Sequence, residues 1–345
     1  MNKTARLGRA VTQKGNAARS ALLGLVLLVV AAPSIAAALA PASRSSVRAV
    51  AVPASTAKPT PAQQAAAKHE LTNAKAVVLG LVEGITEFLP ISSTGHLHVA
   101  EQLLNVGKTS TTKDATDSYT VIIQVGAILA VLLISWRRVV EVFQGLIGKS
   151  EPGRRLLLAL LAAFVPAAVI GVALDKTIEK HLLKTAPIAA AWIVGGLVIL
   201  ALRSRRQGAH SVGRALESIT PKEALIIGVA QSLALWPGVS RSLVTILAAL
   251  LIGLGLSAAV EFSFLLGLLT LGAATAYKLL KDGSLVFDTF GKTSPLIGIV
   301  VAFGSAAVAV RWMIGYLNRK ELTVFAYYRI VVGVVTLGLM ATTLL

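Results

Sequence analysis

Six apolar runs, at residues 121–134, 156–174, 188–202, 258–276, 295–312 and 324–345, carry few or no charged side chains. Several reach the roughly 17–25 residues that a helix needs to cross a bilayer. In hydrocarbon every backbone N–H and C=O must find its partner within the protein, so only helices and closed barrels can span. The runs lack the period-2 alternation of a barrel strand. An all-α polytopic membrane protein is therefore expected. Composition agrees, with only 14% charged residues against about 25% in a soluble domain.

The net charge is +17. The basic residues lie at run ends and in short loops, a pattern that serves topology and anionic lipid rather than nucleic acid. The chain has no cysteine, which excludes disulfides, thiolate nucleophiles and Cys-type metal sites. The histidines (His69, His96, His98, His181 and His210) lack HExxH-like spacing, which argues against a zinc protease.

Residues 1–40 place basic side chains before an apolar block and an Ala38-Leu39-Ala40 site. This reads as a signal peptide or as an uncleaved anchor. Residues 41–70 are rich in Ala, Pro, Ser, Thr and Gln, a disordered linker by composition. The membrane domain expected to carry the chemistry occupies 71–345.

Loops 136–155, 203–222 and 318–322 are basic and read as cytoplasmic, whereas 175–186 and 278–294 mix signs and suit the outside. Topology then alternates if 119–135, 156–174, 187–202, 258–276, 295–317 and 323–343 each cross once. Segments 75–106 and 223–255 must each begin and end on one side. Both break at a proline followed by hydroxyls, so both are expected to be re-entrant helix–turn–helix hairpins, the first from outside and the second from the cytoplasm. Gly80 is followed by Glu83 at +3 and Ser92 at +12, and Gly228 by Gln231 at +3 and Ser240 at +12. With opposite entry sides, that match suggests an inverted-topology repeat whose midplane interface forms the site.

Polar groups at membrane depth are functional candidates. Glu83 and Glu87, one turn apart, share a helix face. They suit a hard divalent cation such as Mg²⁺ or Ca²⁺, or acid–base chemistry, or a wet helix end. Ser92, Ser93 and Thr94 precede Gly95 and His96. The hydroxyls can cap the following helix or face an anion, and a serine near an imidazole is the minimum for an activated nucleophile. His98, two residues on, points elsewhere on a helix and reads as structural. Arg241 lies between Ser240 and Ser242 after Pro237-Gly238, with Thr245 one turn on. A guanidinium is the natural bidentate partner of phosphate; the bland alternative is snorkelling. Gln124 and Glu261 lie within spans as functional or merely hydrogen-bonded groups. Trp136, Trp236 and Trp312 read as interfacial anchors or packing. The inventory fits a lipid phosphate or diphosphate, and no Walker-type loop for ATP is present.

At these residues the chain resembles the bacterial undecaprenyl-diphosphatase family associated with bacitracin resistance. Residues 80–96 are similar to its first signature and 235–242, with Thr245, to its second. Residues 119–131, 261–266 and Tyr328-Arg329 also fit, so the resemblance covers about 71–345. It implies six spans plus two re-entrant hairpins in the bacterial cytoplasmic membrane, with the site open to the outer face. The implied reaction is hydrolysis of undecaprenyl diphosphate to the monophosphate and orthophosphate, which recycles the carrier lipid for cell-wall synthesis. The implied partner is a polyprenyl diphosphate, and a homodimer is left open.

The expected mechanism follows. Arg241 with Ser240, Ser242 and Thr245 clamps the diphosphate, aided by Ser92 and Thr94. Ser93, or a water, attacks phosphorus with His96 in proton transfer. Glu83 and Glu87 hold a divalent ion or orient the nucleophile. A lipid-phosphate transporter is the alternative reading. One departure stands out: Leu243-Val244 and Leu247-Ala248-Ala249 occupy positions where the family favours small residues, so close helix approach behind Arg241 is in question.

Overall fold

The computed structural model describes residues 67, 69–204, 213–317 and 321–342. The expectations for 1–40 and for nearly all of 41–70 lie outside the described residues. Two topologically similar halves make up the bundle. The first contains α1 (Asn73–Thr86), α2 (Ser93–Leu104), α3 (Ser110–Ile122), α4 (Gln124–Ile134), α5 (Trp136–Leu146), α6 (Glu151–Leu182) and α7 (Thr185–Ser204). The second contains α8 (Pro221–Gln231), α9 (Arg241–Leu251), α10 (Leu256–Phe290), α11 (Thr293–Leu317) and α12 (Thr323–Ala341). Among the described residues the only β-type pairing is an isolated bridge between Arg214 and Leu254.

Six segments are long and apolar enough to cross a membrane: Thr112–Ile134, Glu151–Leu174, Thr185–Leu202, Leu256–Phe290, Thr293–Leu317 and Thr323–Ala341. They match the expected spans, with two refinements. The first span is jointed at Ile123, between α3 and α4. Helix α6 runs to Leu182, beyond its apolar run, because residues 175–182 contain no Gly or Pro to stop it.

The helices of the two hairpins are shorter, at 14 and 12 residues for α1 and α2 and 11 each for α8 and α9. That is about 16–21 Å of rise, short of the roughly 30 Å hydrocarbon core. Their starts are written locally. The Thr72 hydroxyl accepts from the Lys75 N–H at 3.3 Å. Thr220 and Glu223 form a reciprocal capping box around Pro221, satisfying donors that a helix start otherwise leaves orphaned.

The two helix pairs begin at opposite ends of the bundle. Asn73 at the start of α1 accepts from Ser294 at the start of α11 (2.8 Å), and the Lys75 ammonium reaches the Asn105 carbonyl just past α2. The second hairpin returns to the other end, where Arg214 and the 253–255 backbone exchange two hydrogen bonds of 2.9 Å beside the start of α10.

Helix packing crosses the halves. Helix α1 lies on α11, and α8 lies on α6, so each hairpin packs on the second span of the opposite half. The third spans, α7 and α12, pack on each other. Glycines make each approach possible. A β-carbon at Gly80 would collide with the Gly298 carbonyl, one at Gly228 with the Ala163 carbonyl, and one at Gly196 with the Ala326 carbonyl. Small residues that admit a neighbouring backbone are the usual basis of helix association in lipid. Gly80 and Gly228, matched by sequence spacing, thus do the same work in the two halves.

Candidate active site

Each hairpin interrupts its inward helix at a proline and restarts through a serine of positive φ. Ser92, preceding α2, has φ 74°, and Ser240, preceding α9, has φ 75°. A non-glycine residue in this region costs on the order of 1–3 kcal/mol and persists only where its surroundings fix it. Around Ser240 the fixing is direct, since its hydroxyl accepts from the Leu243 N–H at 3.3 Å. Around Ser92 the carbonyl accepts from His96 Nδ1 at 2.7 Å. The two helix starts meet in the interior, where Ser242 Oγ donates to the Leu89 carbonyl at 2.8 Å. Two N-termini converging on one spot offer unpaired N–H groups and the positive ends of two dipoles, a setting for an anion.

Glu87 is the hub of that spot. One carboxylate oxygen, Oε2, accepts from Ser93 Oγ. The other, Oε1, accepts from Arg241 Nη2 at 3.2 Å. Nucleophile candidate and cation candidate therefore share one carboxylate. The Arg241 side chain is only 12% exposed, so it does not snorkel. Its Nη1 donates to the Ser263 carbonyl at 3.2 Å, and its guanidinium carbon lies 5.3 Å from the Phe88 ring centroid. Phe88 in turn meets Phe264 edge-on at 5.5 Å. Gly267 makes room for the group, since a β-carbon there would strike the guanidinium. Nε of Arg241 is buried without a partner.

The remaining sequence candidates separate by what they touch. Ser240 and Ser242 hydroxyls lie 3.1 Å apart, and with the Ser242 proton on the Leu89 carbonyl, Ser240 is the donor of the pair. Thr245 donates to the Arg241 carbonyl at 2.9 Å and meets Ser263 Oγ at 2.6 Å. These three hydroxyls brace the first turn of α9 rather than facing an open space. Thr94 is exposed and Ser92 buried. His96 is turned away from Ser93: Nδ1 donates to the Ser92 carbonyl, so the neutral ring's Nε2 accepts from Tyr328 Oη at 2.9 Å. The imidazole stacks on Tyr328 and lies 4.7 Å from Trp192. The base touching Ser93 is Glu87. His98 Nε2 lies 3.2 Å from Thr185 Oγ1. Glu261 is a structural partner, accepting from Arg138 at 2.8 Å.

Glu83 is fully buried one turn before Glu87, and neither carboxylate oxygen has a hydrogen-bond partner. A buried charge without a partner is strongly disfavoured, so this group holds a proton or faces a cation. Among the described residues no group of three or more His, Cys, Asp or Glu side chains could by itself hold a metal.

The sequence assigns no role to two supporting residues, although Tyr328-Arg329 is part of the family resemblance. Arg329 on α12 is wholly buried. It donates to the Pro90 carbonyl (3.2 Å), the Gly238 carbonyl (2.9 Å) and the Ala191 carbonyl (3.0 Å). One guanidinium thus ties both hairpin breaks to α7, lying against Gly195 as Arg241 lies against Gly267. Trp192 adds a 2.8 Å bond from its indole N–H to the Ile91 carbonyl. A charge inside the run 324–345 was the available signal for Arg329, the same signal that marks Arg241. The bulky Leu243 and Val244 are buried and line, with Ala191, Val194 and Gly195, a small apolar void of about 30 Å³ against α7. The bundle accommodates them.

A larger cavity of about 1040 Å³ opens at the end of the bundle where the first hairpin enters, lined in part by His98, Glu101, Thr116, Asp117, Lys184 and Trp236. Trp236 belongs to the second hairpin's break, so the cavity reaches from that end to the middle of the bundle.

The family described as bacitracin resistance protein BacA matches residues 76–335. The chain is 47% identical over 266 residues to undecaprenyl-diphosphatase 2 of Rhodospirillum rubrum, an alignment covering 76% of this chain and 93% of that one. It is 42% identical to the undecaprenyl-diphosphatase of Sorangium cellulosum (76% and 85% covered). It is 40% identical to that of Deinococcus deserti (77% and 95% covered). Both hairpins and all six candidate spans fall largely within the matched region, and the chain belongs to the BacA family.

Proposed function

We propose that this chain hydrolyses undecaprenyl diphosphate to undecaprenyl phosphate and orthophosphate. It does so as a multi-pass protein of the bacterial cytoplasmic membrane, recycling the carrier lipid and lowering sensitivity to bacitracin. The observation that carries the reading is the shared carboxylate: Glu87 bonded to Ser93 on one oxygen and to Arg241 on the other.

An arriving diphosphate competes with Glu87 for Arg241, whose planar guanidinium matches two phosphate oxygens. Released from Arg241, Glu87 accepts the Ser93 proton as Ser93 Oγ attacks the terminal phosphorus. The bond to the bridging oxygen breaks and the prenyl monophosphate leaves. Water then cleaves the phosphoserine, returning the hydroxyl to Ser93 and yielding orthophosphate. Arg241 and the two helix N-termini stabilise the negative charge spread over the transferring group. In the other branch Ser93 orients a water that attacks directly, with Glu87 again the base. His96 moves a proton only after exchanging its Tyr328 contact. Glu83, buried without a partner, would with Glu87 hold a divalent ion, which when bound would neutralise charge on the diphosphate. Arg329 holds the two breaks in register.

The hairpins re-enter the bilayer, since their helices are too short to cross and return to the end from which they came. The basic loops favour a cytoplasmic side for the second hairpin's end. On that assignment the large cavity opens toward the outer face. A second reading, movement of the same lipid across the bilayer, is favoured by repeated halves with broken helices meeting at the middle, an architecture typical of transporters.

Phosphate release from defined prenyl diphosphates by purified protein in detergent tests the proposal. Arg241→Ala is expected to lower release about a thousandfold, and a chelator to lower it reversibly. Near-normal release by Arg241→Ala sinks the assignment. Lipid transfer across liposomes by a hydrolysis-dead variant supports the second reading.

A further inference from the structure

Helix α5 connects the first two spans and has three faces. At about 100° per residue, Trp136, Val140 and Phe143 fall within about 60° of one another. Trp136 and Phe143 are 54% and 59% exposed, and beyond Phe143 Leu146 and Ile147 are 65% and 49% exposed. Val139 and Val142, on the next sector round, pack against the core. Gly145 adds a close backbone contact with Gly153 and Arg154 at the start of α6. The third sector is polar, with Arg137 and Gln144 exposed. At 11 residues the helix rises about 16 Å and cannot cross. One face on protein, one apolar and open, and one charged is the pattern of a helix lying in the membrane interface.

The charges around it are not interchangeable. Arg138 is held by three carboxylates, Glu141, Glu217 and Glu261, at 2.8, 2.6 and 2.8 Å, and so is a structural tie. Arg154 and Arg155 both pair with Glu151. Arg137 and Lys149, one at each end of α5, are exposed and make no ion pair among the described residues. The stretch 136–155 carries five basic residues against two acidic ones.

We propose that α5 and the turn after it form a binding site for an anionic phospholipid. Arg137 and Lys149 attract the anionic headgroup from the two ends of the helix, and Trp136, Phe143, Leu146 and Ile147 face its acyl chains. The occupant is a resident lipid of the basic-side leaflet, at the opposite end of the bundle from the large cavity. The proposal stands whether or not the hydrolase reading does.

The full chain, purified in detergent and mixed with equal phosphatidylglycerol and phosphatidylcholine, is weighed by native mass spectrometry. Retained phosphatidylglycerol should exceed phosphatidylcholine. One juxtamembrane cation is worth about 1 kcal/mol, or about fivefold in affinity. Arg137→Gln with Lys149→Gln should therefore cut that preference on the order of 25-fold while leaving phosphate release in pure phosphatidylcholine unchanged. Equal retention of the two lipids by the native chain, or an undiminished preference in the double variant, overturns the site. Should the double variant be poorly made, dibrominated lipids decide. Bromine on phosphatidylglycerol should quench fluorescence more than bromine on phosphatidylcholine, and Trp136→Phe should remove the difference. A difference that survives Trp136→Phe places the lipid elsewhere.

Discussion

Ser92 and Ser240 enter their helices at φ 74° and 75°, and Gly80 and Gly228 seat the preceding helices against carbonyls of the opposite half. On this common backbone the same register carries different side chains. The position of Glu83 in the first hairpin is held by Gln231 in the second, and both are buried with unpartnered side-chain atoms. A neutral amide in that place costs far less than a carboxylate, so only the first hairpin bears the burden of a buried acid. Ser93 answers to Arg241, and Glu87 to Leu235. The comparison teaches how a repeated fold becomes a one-sided catalyst. Backbone strain and helix approach are duplicated, while acid and hydroxyl settle on one hairpin and the cation on the other, so that attraction crosses the interface between them.

The most forceful way to break this comparison is to exchange the charges. Glu87→Arg or Arg241→Glu alone leaves a buried charge facing its like, and breaking a buried pair costs roughly 3–5 kcal/mol. The double exchange should recover thermal stability in detergent yet stay below about a thousandth of native phosphate release, because Ser93 has lost its base. Recovery of activity along with stability would show that only the pair, and not its direction, matters. A second, smaller contrast lies in the hydroxyls. Ser93→Ala should reduce release about a hundredfold or more with little change in melting temperature. Ser242→Ala strands the Leu89 carbonyl and should cost about 1–3 kcal/mol in stability, with a lesser effect on rate; the reverse ranking would move the nucleophile to the second hairpin. The mildest test concerns the duplicated feature. Gly80→Ala and Gly228→Ala should each destabilise by about 1–3 kcal/mol through overpacking. Unequal losses, read by thermal unfolding, would mean that the two contacts are not equivalent.

Much of this architecture is visible in the sequence because its determinants are local. Uninterrupted apolar runs set the spans, and Pro90 and Pro237 lie within the breaks. The match of Gly80 with Gly228 is legible for the same reason. The jointed first span and the extension of α6 are less so, since helix continues wherever nothing stops it. Within the site, residue types announced the chemistry but not the wiring. Which base meets Ser93 depends on how the turn after Glu87 folds back, and it selects Glu87 where spacing favoured His96. The hydroxyls of Ser242 and Thr245 look free in the sequence and prove engaged with carbonyls contributed by Leu89 and Arg241. Arg329 acts on Pro90, Ala191 and Gly238, all distant in the chain.

The carboxylate at the centre of the site also sets a threshold. While the site holds no ligand, Arg241 is neutralised by Glu87 at 3.2 Å, so any ligand has to outcompete an internal anion. A diphosphate, with two phosphoryl groups and greater charge, is better placed to do so than the monophosphate left after cleavage. Once the phosphoserine is cleaved and Glu87 has given up its proton, the carboxylate can reclaim its arginine and disfavour rebinding of the monophosphate. On the proposed mechanism, breaking the Glu87–Arg241 bond frees the base and re-forming it discourages the product from lingering where the substrate must bind.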